Sequence, residues 1–488
     1  MHDTDADSTL PRPEAQAPPA RARFTPVAAA LCGLAALGAP ASTARASDVT
    51  VTIDERTRHQ TIEGFGASGC WWPRYVADFP PAERRRMLEL LFTDRGAALT
   101  IYRYNIPAGR GEDVVRRDRR TVDLEAAPGR YDYRRDAKAI GILREVRSLG
   151  VEHFVLFANS PPARMTRNGK VSGGDGGGSN LRGDMREAFA TYLVDVAAHL
   201  KKTHDLPHVA ISALNEPQWR WGQKWRGQEG CHYSPQEAAA MIKALVLAVR
   251  AAKLDAAVEA PESGSWKSSP PYAETMFADP VLNEAVDTFA VHSYWSNRQH
   301  KRQFVESFRR KHPTKRLAMT EYCQMKHGHD LSIDGGLHLA NVLHDDLTVG
   351  SVVTWQWWLA IGPGGYRDAL IYAHPTTRKI EPTKRLWTLA NWSRFVRPGA
   401  VRVAAESSAD DLRASAFLSK DGRELTCVVI NNADEPVRAR VEARAFGRAR
   451  RSVHVTSARH DLARGTMARG GVTFPARSVS TLVLRGGG

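Results

Sequence analysis

The chain has 488 residues, a length that suits two or three domains, and its 42% hydrophobic and 25% charged content fits a soluble globular protein. The formal net charge of +15 invites a nucleic-acid reading. Arginine is spread along the chain and no nucleic-acid fold signature accompanies it, so no nucleic-acid partner is expected. A basic surface of this kind also suits polysaccharide that carries uronic acids.

The first 46 residues read as a leader. Residues 1–26 are polar and proline-rich, with Arg21 and Arg23 near the end, and 27–38 are small and apolar. Ala44-Arg45-Ala46 then supplies a small-x-small cleavage pattern. A signal peptide at 1–46 predicts a secreted, extracellular or periplasmic protein. The apolar run is too short to span a bilayer, so no stable membrane insertion is expected. Cys70, Cys231, Cys323 and Cys427 follow the leader. Their wide spacings give neither a disulfide framework nor a zinc pattern, though one disulfide would fit.

Residues 48–62 alternate (Val49, Val51, Ile53) and predict a strand or hairpin; 47–62 is assigned to a sandwich completed by the C-terminus. Helix is then predicted over 81–92, strand over 98–105, helix over 136–149 and strand over 153–159. The glycine-rich stretch 172–179 lacks Gly-Lys-Ser/Thr, so it is a flexible loop rather than a phosphate cradle. A long amphipathic helix follows over 184–203, then a buried strand over 210–214 and a helix over 235–253. Short strands at 257–260, 288–292 and 316–320, a helix over 334–347 and a strand at 352–357 continue the alternation. The repeat predicts the α/β class, a (β/α)8 TIM barrel over 63–394. From 395 to 488 short alternating runs separated by turn residues predict an antiparallel β-sandwich.

Two glutamates stop apolar strands. Asn215-Glu216-Pro217 follows 210–214 directly, and Glu321 closes 316–320. Two carboxylates at the carboxyl ends of barrel strands are what glycosidic cleavage requires: a proton donor for the leaving oxygen, and an ionised partner. Pro217 disfavours helical backbone at Glu216 and predicts that its side chain rises from extended backbone. A carboxyl that must hold its proton needs burial and a neighbouring negative charge. Asn215 is either a turn-former or a ligand for a sugar 2-hydroxyl. Glu321 ends too apolar a run to lie on the surface and needs partners. Arg103 is the candidate to keep it ionised, unless it makes a structural ion pair. Tyr294 is placed to hydrogen-bond the nucleophile, and His292 to orient neighbours or bind a hydroxyl. Asn159 ends another strand and offers an amide to sugar hydroxyls. Trp71, Trp72, Trp219, Trp221, Trp225, Trp295, Trp355, Trp357 and Trp358 crowd these motifs, for stacking on sugar or for the core.

Gly64-Phe65-Gly66, Arg103-Tyr104-Asn105, Asn159-Ser160-Pro161-Pro162, Asn215-Glu216-Pro217, His292-Ser293-Tyr294, Glu321-Tyr322 and Trp355-Gln356-Trp357 occur in the order seen in glycoside hydrolase family 30, which the chain resembles from about residue 49 to its end. The resemblance implies a retaining mechanism, with Glu216 as acid/base and Glu321 as nucleophile. It assigns Asn215 to the 2-hydroxyl and makes Arg103, Asn159, Tyr294 and Trp357 residues around the sugar. Trp72 and His292 complete the expected substrate-binding set. Gln228-Glu229-Gly230-Cys231 and 160–165 look most like the endo-β-1,6-galactanase branch, and Trp219-Arg220-Trp221 and 364–368 like its subsite walls. Ala163, Arg164, Pro107 and Ala108 depart from that branch. Arg367 allows a uronate contact, as in the glucuronoxylanases. The expected partner is a polysaccharide or oligosaccharide, bound by a monomer, with no metal or organic cofactor. Rival readings are β-1,6-glucanase, a glucosylceramidase-like hydrolase and a non-catalytic carbohydrate-binding protein.

Overall fold

The computed structural model describes residues 49–109, 111–465 and 471–486. The segment read as a signal peptide lies outside the described residues. Gly64–Ser68 pairs in parallel with Ile101–Asn105, which pairs with His153–Phe157, and that strand with His208–Ser212. The fifth position is built in two pieces. Ala257–Val258 pairs with His208–Ser212, whereas Ala260–Ser263 pairs with Thr288–His292. Between them the Glu259 N–H donates to the Ile211 carbonyl at 3.0 Å. Arg316–Tyr322 and Thr354–Gly362 follow, and Thr354–Gly362 pairs back onto Gly64–Ser68 and closes the ring. The barrel expected from the alternation is present, with its strands buried almost end to end, as a parallel sheet covered on both faces must be.

The opening strand, Gly64–Ser68, carries two glycines and escaped the pattern reading. A Cβ on Gly66 would sit 2.7 Å from the Ile101 carbonyl oxygen, so only glycine lets the second strand approach this closely. Helix Pro81–Phe92 falls where expected, as does Pro235–Ala251, which starts in a capping box between Ser234 and Glu237. Helices Pro270–Ala278, Arg298–Lys311 and Lys384–Ser393 were not expected. Arg298–Lys311 hides behind its composition. Its inner face is Phe304, Val305 and Phe308 plus the buried Lys301, whose Nζ meets Asp346 at 2.6 Å. The glycine-rich stretch is a packed loop rather than a flexible one. Gly173 lies against the Trp221 backbone and Gly177 against Arg220, with no room for side chains.

Val49–Thr61 crosses to the other end of the chain. It pairs antiparallel with Val401–Ser407 and parallel with Val437–Ala443, third from one end of a nine-stranded sheet that folds over its own core. Val51, Ile53, Val403, Leu412, Val429, Phe474 and Leu482 fill that core. The sheet's other face presents Phe417, Val428, Ile430 and Val479 to the barrel's apolar core. Asn391 Nδ2 donates to Thr481 Oγ1 at 2.9 Å across this seam, and Trp392 Nε1 to Ser415 Oγ at 3.2 Å. Cys70, Cys231, Cys323 and Cys427 are buried free thiols, so the disulfide that their number allowed does not form among them. No helix among the described residues is long and apolar enough to cross a membrane.

Ile53 is 4% exposed, whereas Thr52 beside it faces solvent. Ile53→Ala is expected to destabilise the protein by about 2–5 kcal/mol in urea unfolding, and Thr52→Ala by less than about 0.5 kcal/mol.

Candidate active site

The strand His208–Ser212 runs out into Ala213, Leu214 and Asn215, and Glu216 turns the chain with φ at 46°. The expectation of extended backbone is corrected here. Pro217 disfavours the right-handed helical well, and the turn takes the left-handed one. Hydrogen bonds hold it there: the Glu216 N–H donates to the Glu262 carbonyl at 2.9 Å, and the Glu216 carbonyl accepts from the Trp219 N–H at 2.9 Å and from Trp221 Nε1 at 3.2 Å. Glycine at 264 leaves the carboxylate its space, because a Cβ there would stand 2.9 Å from Glu216 Oε1. Trp71, Glu262 and Trp295 share the left-handed conformation, at φ 65°, 62° and 48°. Each such residue costs about 1–3 kcal/mol, borne where the site requires it.

Glu321 lies in strand Arg316–Tyr322 and is fixed at both oxygens. Arg103 NH1 donates to Oε2 at 2.5 Å and the Tyr294 hydroxyl to Oε1 at 3.1 Å. His292 Nδ1 lies 3.3 Å from Glu216 Oε1 and 3.8 Å from Glu321 Oε1. Beneath both runs a layer that sequence reasoning missed. Glu262 receives His292 Nε2 at 3.0 Å, lies 3.4 Å from Arg103 NH2, and accepts from Thr320 Oγ1. All these side chains are buried, and Arg103 also lies flat over Phe157 at 3.9 Å.

The charges follow from the contacts. Burial alone would raise Glu262, but Arg103, His292 and the Thr320 hydroxyl overcome it and bring its pKa down to about 2. Burial would depress His292, but the Glu321 charge and the hydrogen bonds to Glu216 and Glu262 raise it to about 9. Burial, and then the Glu262 charge, push Glu259 well above the carboxylate range and keep it neutral. Burial raises Glu321, as does the Glu216 charge, while His292 and Arg103 pull it down.

Glu216, His292 and Glu321 each place one potential ligand atom within 4.8 Å of the others, a grouping that a metal ion would fit by distance. His292 already meets a carboxylate at each ring nitrogen, Glu216 at 3.3 Å and Glu262 at 3.0 Å.

The structure gathers Glu216, Glu321, Arg103, His292 and Tyr294 into one contact network. Asn215 and Asn159 follow the ends of two neighbouring barrel strands, and each keeps a buried carbonyl oxygen with no donor. Trp72 and Trp357 are corrected. Trp72 donates to the Ser68 carbonyl at 2.8 Å and packs edge-on to Tyr102; Trp357 donates to the Asp368 carbonyl at 2.7 Å and packs on Tyr322. Both are sealed in the core, 1% and 0% exposed, and offer no face to substrate. The accessible aromatic surface is Trp295, 51% exposed and stacked on Trp219 at 5.4 Å with the planes 5° apart. The signal for Glu262 was present in Ala257-Val258-Glu259-Ala260-Pro261-Glu262, two acids in an apolar strand, where the sequence reading ended the strand at 260.

The profile of O-glycosyl hydrolase family 30 matches residues 48–372, and that of the family 30 β-sandwich domain matches 399–482. The chain belongs to O-glycosyl hydrolase family 30. Among family 30 relatives, an endo-β-1,6-galactanase of Hypocrea rufa is 27% identical over 226 residues. That match covers 40% of this chain and 45% of the relative, so less than half the relative's length is spanned. Glucuronoxylanase XynC of Bacillus subtilis is 25% identical over 457 residues, 90% of this chain and 92% of that one. A conserved exported protein from Bacteroides fragilis superposes with a TM-score of 0.79 at 26% identity, covering 89% of this chain and 100% of that chain.

The two shifted groups set the pH dependence. His292 stands above its usual 6.5, so its stabilisation is complete below about 6.5 and is lost as pH rises through about 9. Glu262 stands below its usual 4.5, so its stabilisation is complete above about 4.5 and is lost as pH falls through about 2. His292→Gln is therefore expected to destabilise the protein more at pH 6 than at pH 9.5, by up to about 3 kcal/mol in urea unfolding.

Proposed function

We propose that this family 30 protein is a secreted, retaining endo-β-1,6-galactanase, with Glu321 as nucleophile and Glu216 as acid/base. The observation that carries the mechanism is the pairing of the two glutamates. Oxygens of both lie within 4.8 Å, in keeping with the ~5–5.5 Å carboxyl spacing of retention rather than the ~6.5–9.5 Å of inversion. Arg103 and Tyr294 donate to Glu321 and keep it ionised and aimed. Glu321 attacks the anomeric carbon while Glu216 gives its proton to the leaving oxygen. Glu216 then takes a proton from water, which displaces Glu321 from the sugar and restores the β configuration. Asn215 and Asn159 supply unfilled acceptors for sugar hydroxyls. The Trp219–Trp295 stack follows Glu216 and is the platform for the leaving portion of the chain.

The galactan assignment rests on the Gln228-Glu229-Gly230-Cys231 segment and on the likeness to the Hypocrea galactanase. The longer alignment with glucuronoxylanase favours a second reading, xylan decorated with uronic acid. Against it, Arg367 lies 3.4 Å from Asp330, an acid that Arg385 also binds at 3.1 Å, so the arginine expected to meet a uronate is already engaged.

The test is product analysis on β-1,6-galactan, arabinogalactan, glucuronoxylan, β-1,6-glucan and glucosylceramide. Galacto-oligosaccharides from the first two are expected, and xylo-oligosaccharides would select the second reading. Glu216→Gln is expected to lose roughly 10²–10⁴-fold in kcat. Glu321→Gln should lose at least as much. In proton NMR of the digest the first-formed reducing end should be the β-anomer; an α-anomer would overturn the double displacement.

A further inference from the structure

The ends of the first and eighth barrel strands, away from the fourth and sixth that lead to Trp219 and Trp295, carry a second cluster of aromatic and charged groups. Trp71 follows the strand Gly64–Ser68 and packs edge-on against Trp358 at 5.4 Å. The Arg119 guanidinium lies on the Trp71 ring at 4.4 Å and 5.7 Å from Trp225. Its hydrogen-bond partner is neutral: NH1 donates to Gln228 Oε1 at 3.3 Å. Among the described residues no carboxylate comes within ion-pair distance of Arg119. Burial, the leading cause, holds its pKa below the usual arginine value.

Asp368, 7% exposed, is the matching anomaly. Burial raises it and the Arg119 charge pulls it down, yet the two do not close into an ion pair. Its carbonyl is used by Trp357 and Leu359, but among the described residues no other side chain donates to its carboxylate. The Trp71 Nε1 and Tyr75 hydroxyl are likewise buried without partners. A half-buried arginine and a buried aspartate thus stand without an ion pair, with the unfilled donors of Trp71 and Tyr75 beside them. A buried donor without an acceptor is costly, so a ligand that offers acceptors to Trp71 Nε1 and the Tyr75 hydroxyl would complete this cluster.

We propose that Arg119, Asp368 and Trp71 form a sugar-binding subsite for a neutral hexopyranose on the glycone side of the cleft, Arg119 donating to its hydroxyls and Asp368 accepting from them. This rests on the function proposed above and narrows it to uncharged chains. A lone arginine would welcome a uronate carboxylate, whereas Asp368 across from it repels one. The subsite also gives the 228–231 segment its purpose. Gln228 fixes Arg119, and buried Glu229 accepts from the Ala108 N–H at 3.1 Å and from the Thr121 hydroxyl, clamping both ends of the loop that carries Arg119. Gln228 and Glu229 are positioning residues.

The experiment compares kcat/KM on β-1,6-galactotetraose with that on 4-nitrophenyl β-D-galactopyranoside, whose single sugar sits over Glu321, for wild type, Arg119→Met, Arg119→Lys and Asp368→Asn. Arg119→Met and Asp368→Asn should each lose roughly 10–100-fold more on the tetrasaccharide than on the aryl glycoside, with Arg119→Lys between wild type and Arg119→Met. Asp368→Asn should also raise the rate on glucuronate-capped oligosaccharide relative to the uncapped one. Equal losses on long and short substrates, or none, would overturn the subsite. Circular dichroism melts identify a variant that has merely unfolded, and Gln228→Leu, which frees Arg119 without touching it, must then show the same chain-length dependence or the subsite fails. If wild type cleaves another neutral polymer, the galactan reading falls and the comparison is made on oligomers of that polymer. Cleavage of glucuronoxylan alone overturns both. If wild type cleaves nothing, calorimetric binding of galactotetraose that is weakened in Arg119→Met sustains the subsite, and no binding refutes it.

Discussion

Glu262 is the carboxylate on which the site rests. It is fully buried in the fifth barrel strand, between Arg103 and His292, and it stays ionised because those two cations and the Thr320 hydroxyl surround it. The dependence is mutual. Without Glu262, Arg103 would keep Glu321 within ion-pair distance, and His292 would keep Glu216 and Glu321. Charges buried in this way are tolerated when each has a partner, and removing one member leaves the rest uncompensated. Glu216 and Glu321 are thus held by groups that lie beneath them. Arg103 transmits the Glu262 charge to Glu321, and His292 transmits it to Glu216. This makes the pair rigid, as double displacement requires, since attack and proton transfer need fixed heavy-atom positions.

Much of this was legible in the sequence, for identifiable reasons. Thr288–His292 and His153–Phe157 are apolar runs too short for helix and too apolar for a surface, and parallel strands covered on both sides leave that mark. Glu216 and Glu321 were legible because each interrupts such a run. Glu262 was not, because Ala260-Pro261-Glu262 resembles the start of a turn, and its burial depends on partners from three other strands. The left-handed backbone of Glu216 was not legible either. Pro217 closes one conformation, but the hydrogen bond that Glu216 donates to the Glu262 carbonyl and the one it accepts from Trp221 select between the remaining ones. Trp72 and Trp357 show the limit for aromatics. Composition places tryptophan near the site, while the acceptors Ser68 and Asp368 decide that these two turn inward and Trp295 outward.

The same division appears in the loops. Gly173 and Gly177 occupy a glycine run that suggests mobility, yet each is a place where the Trp219–Gln223 segment presses on the chain. Those contacts brace the loop that carries the aromatic platform. The two aromatic clusters are accordingly built by different means: one by stacked indoles on a braced loop, the other by Arg119 laid over Trp71, on a loop clamped through Glu229.

The strand Val49–Thr61 sets the order in which this molecule can be completed. It is the first described element to leave the ribosome or to emerge from any pore, yet its hydrogen-bond partners lie in Val401–Ser407 and Val437–Ala443. Until those arrive it carries two unpaired edges, and the barrel made in between must assemble with that strand hanging free. Pairings this distant in sequence form late and slowly, and exposed edges invite wrong partners in the interval. The C-terminal domain therefore acts as a latch on the whole chain. A product truncated between the barrel and Val437–Ala443 would retain every residue of the Glu216–Glu321 network and still display an open β-edge at Val49–Thr61, which makes such incomplete chains prone to aggregation and to disposal.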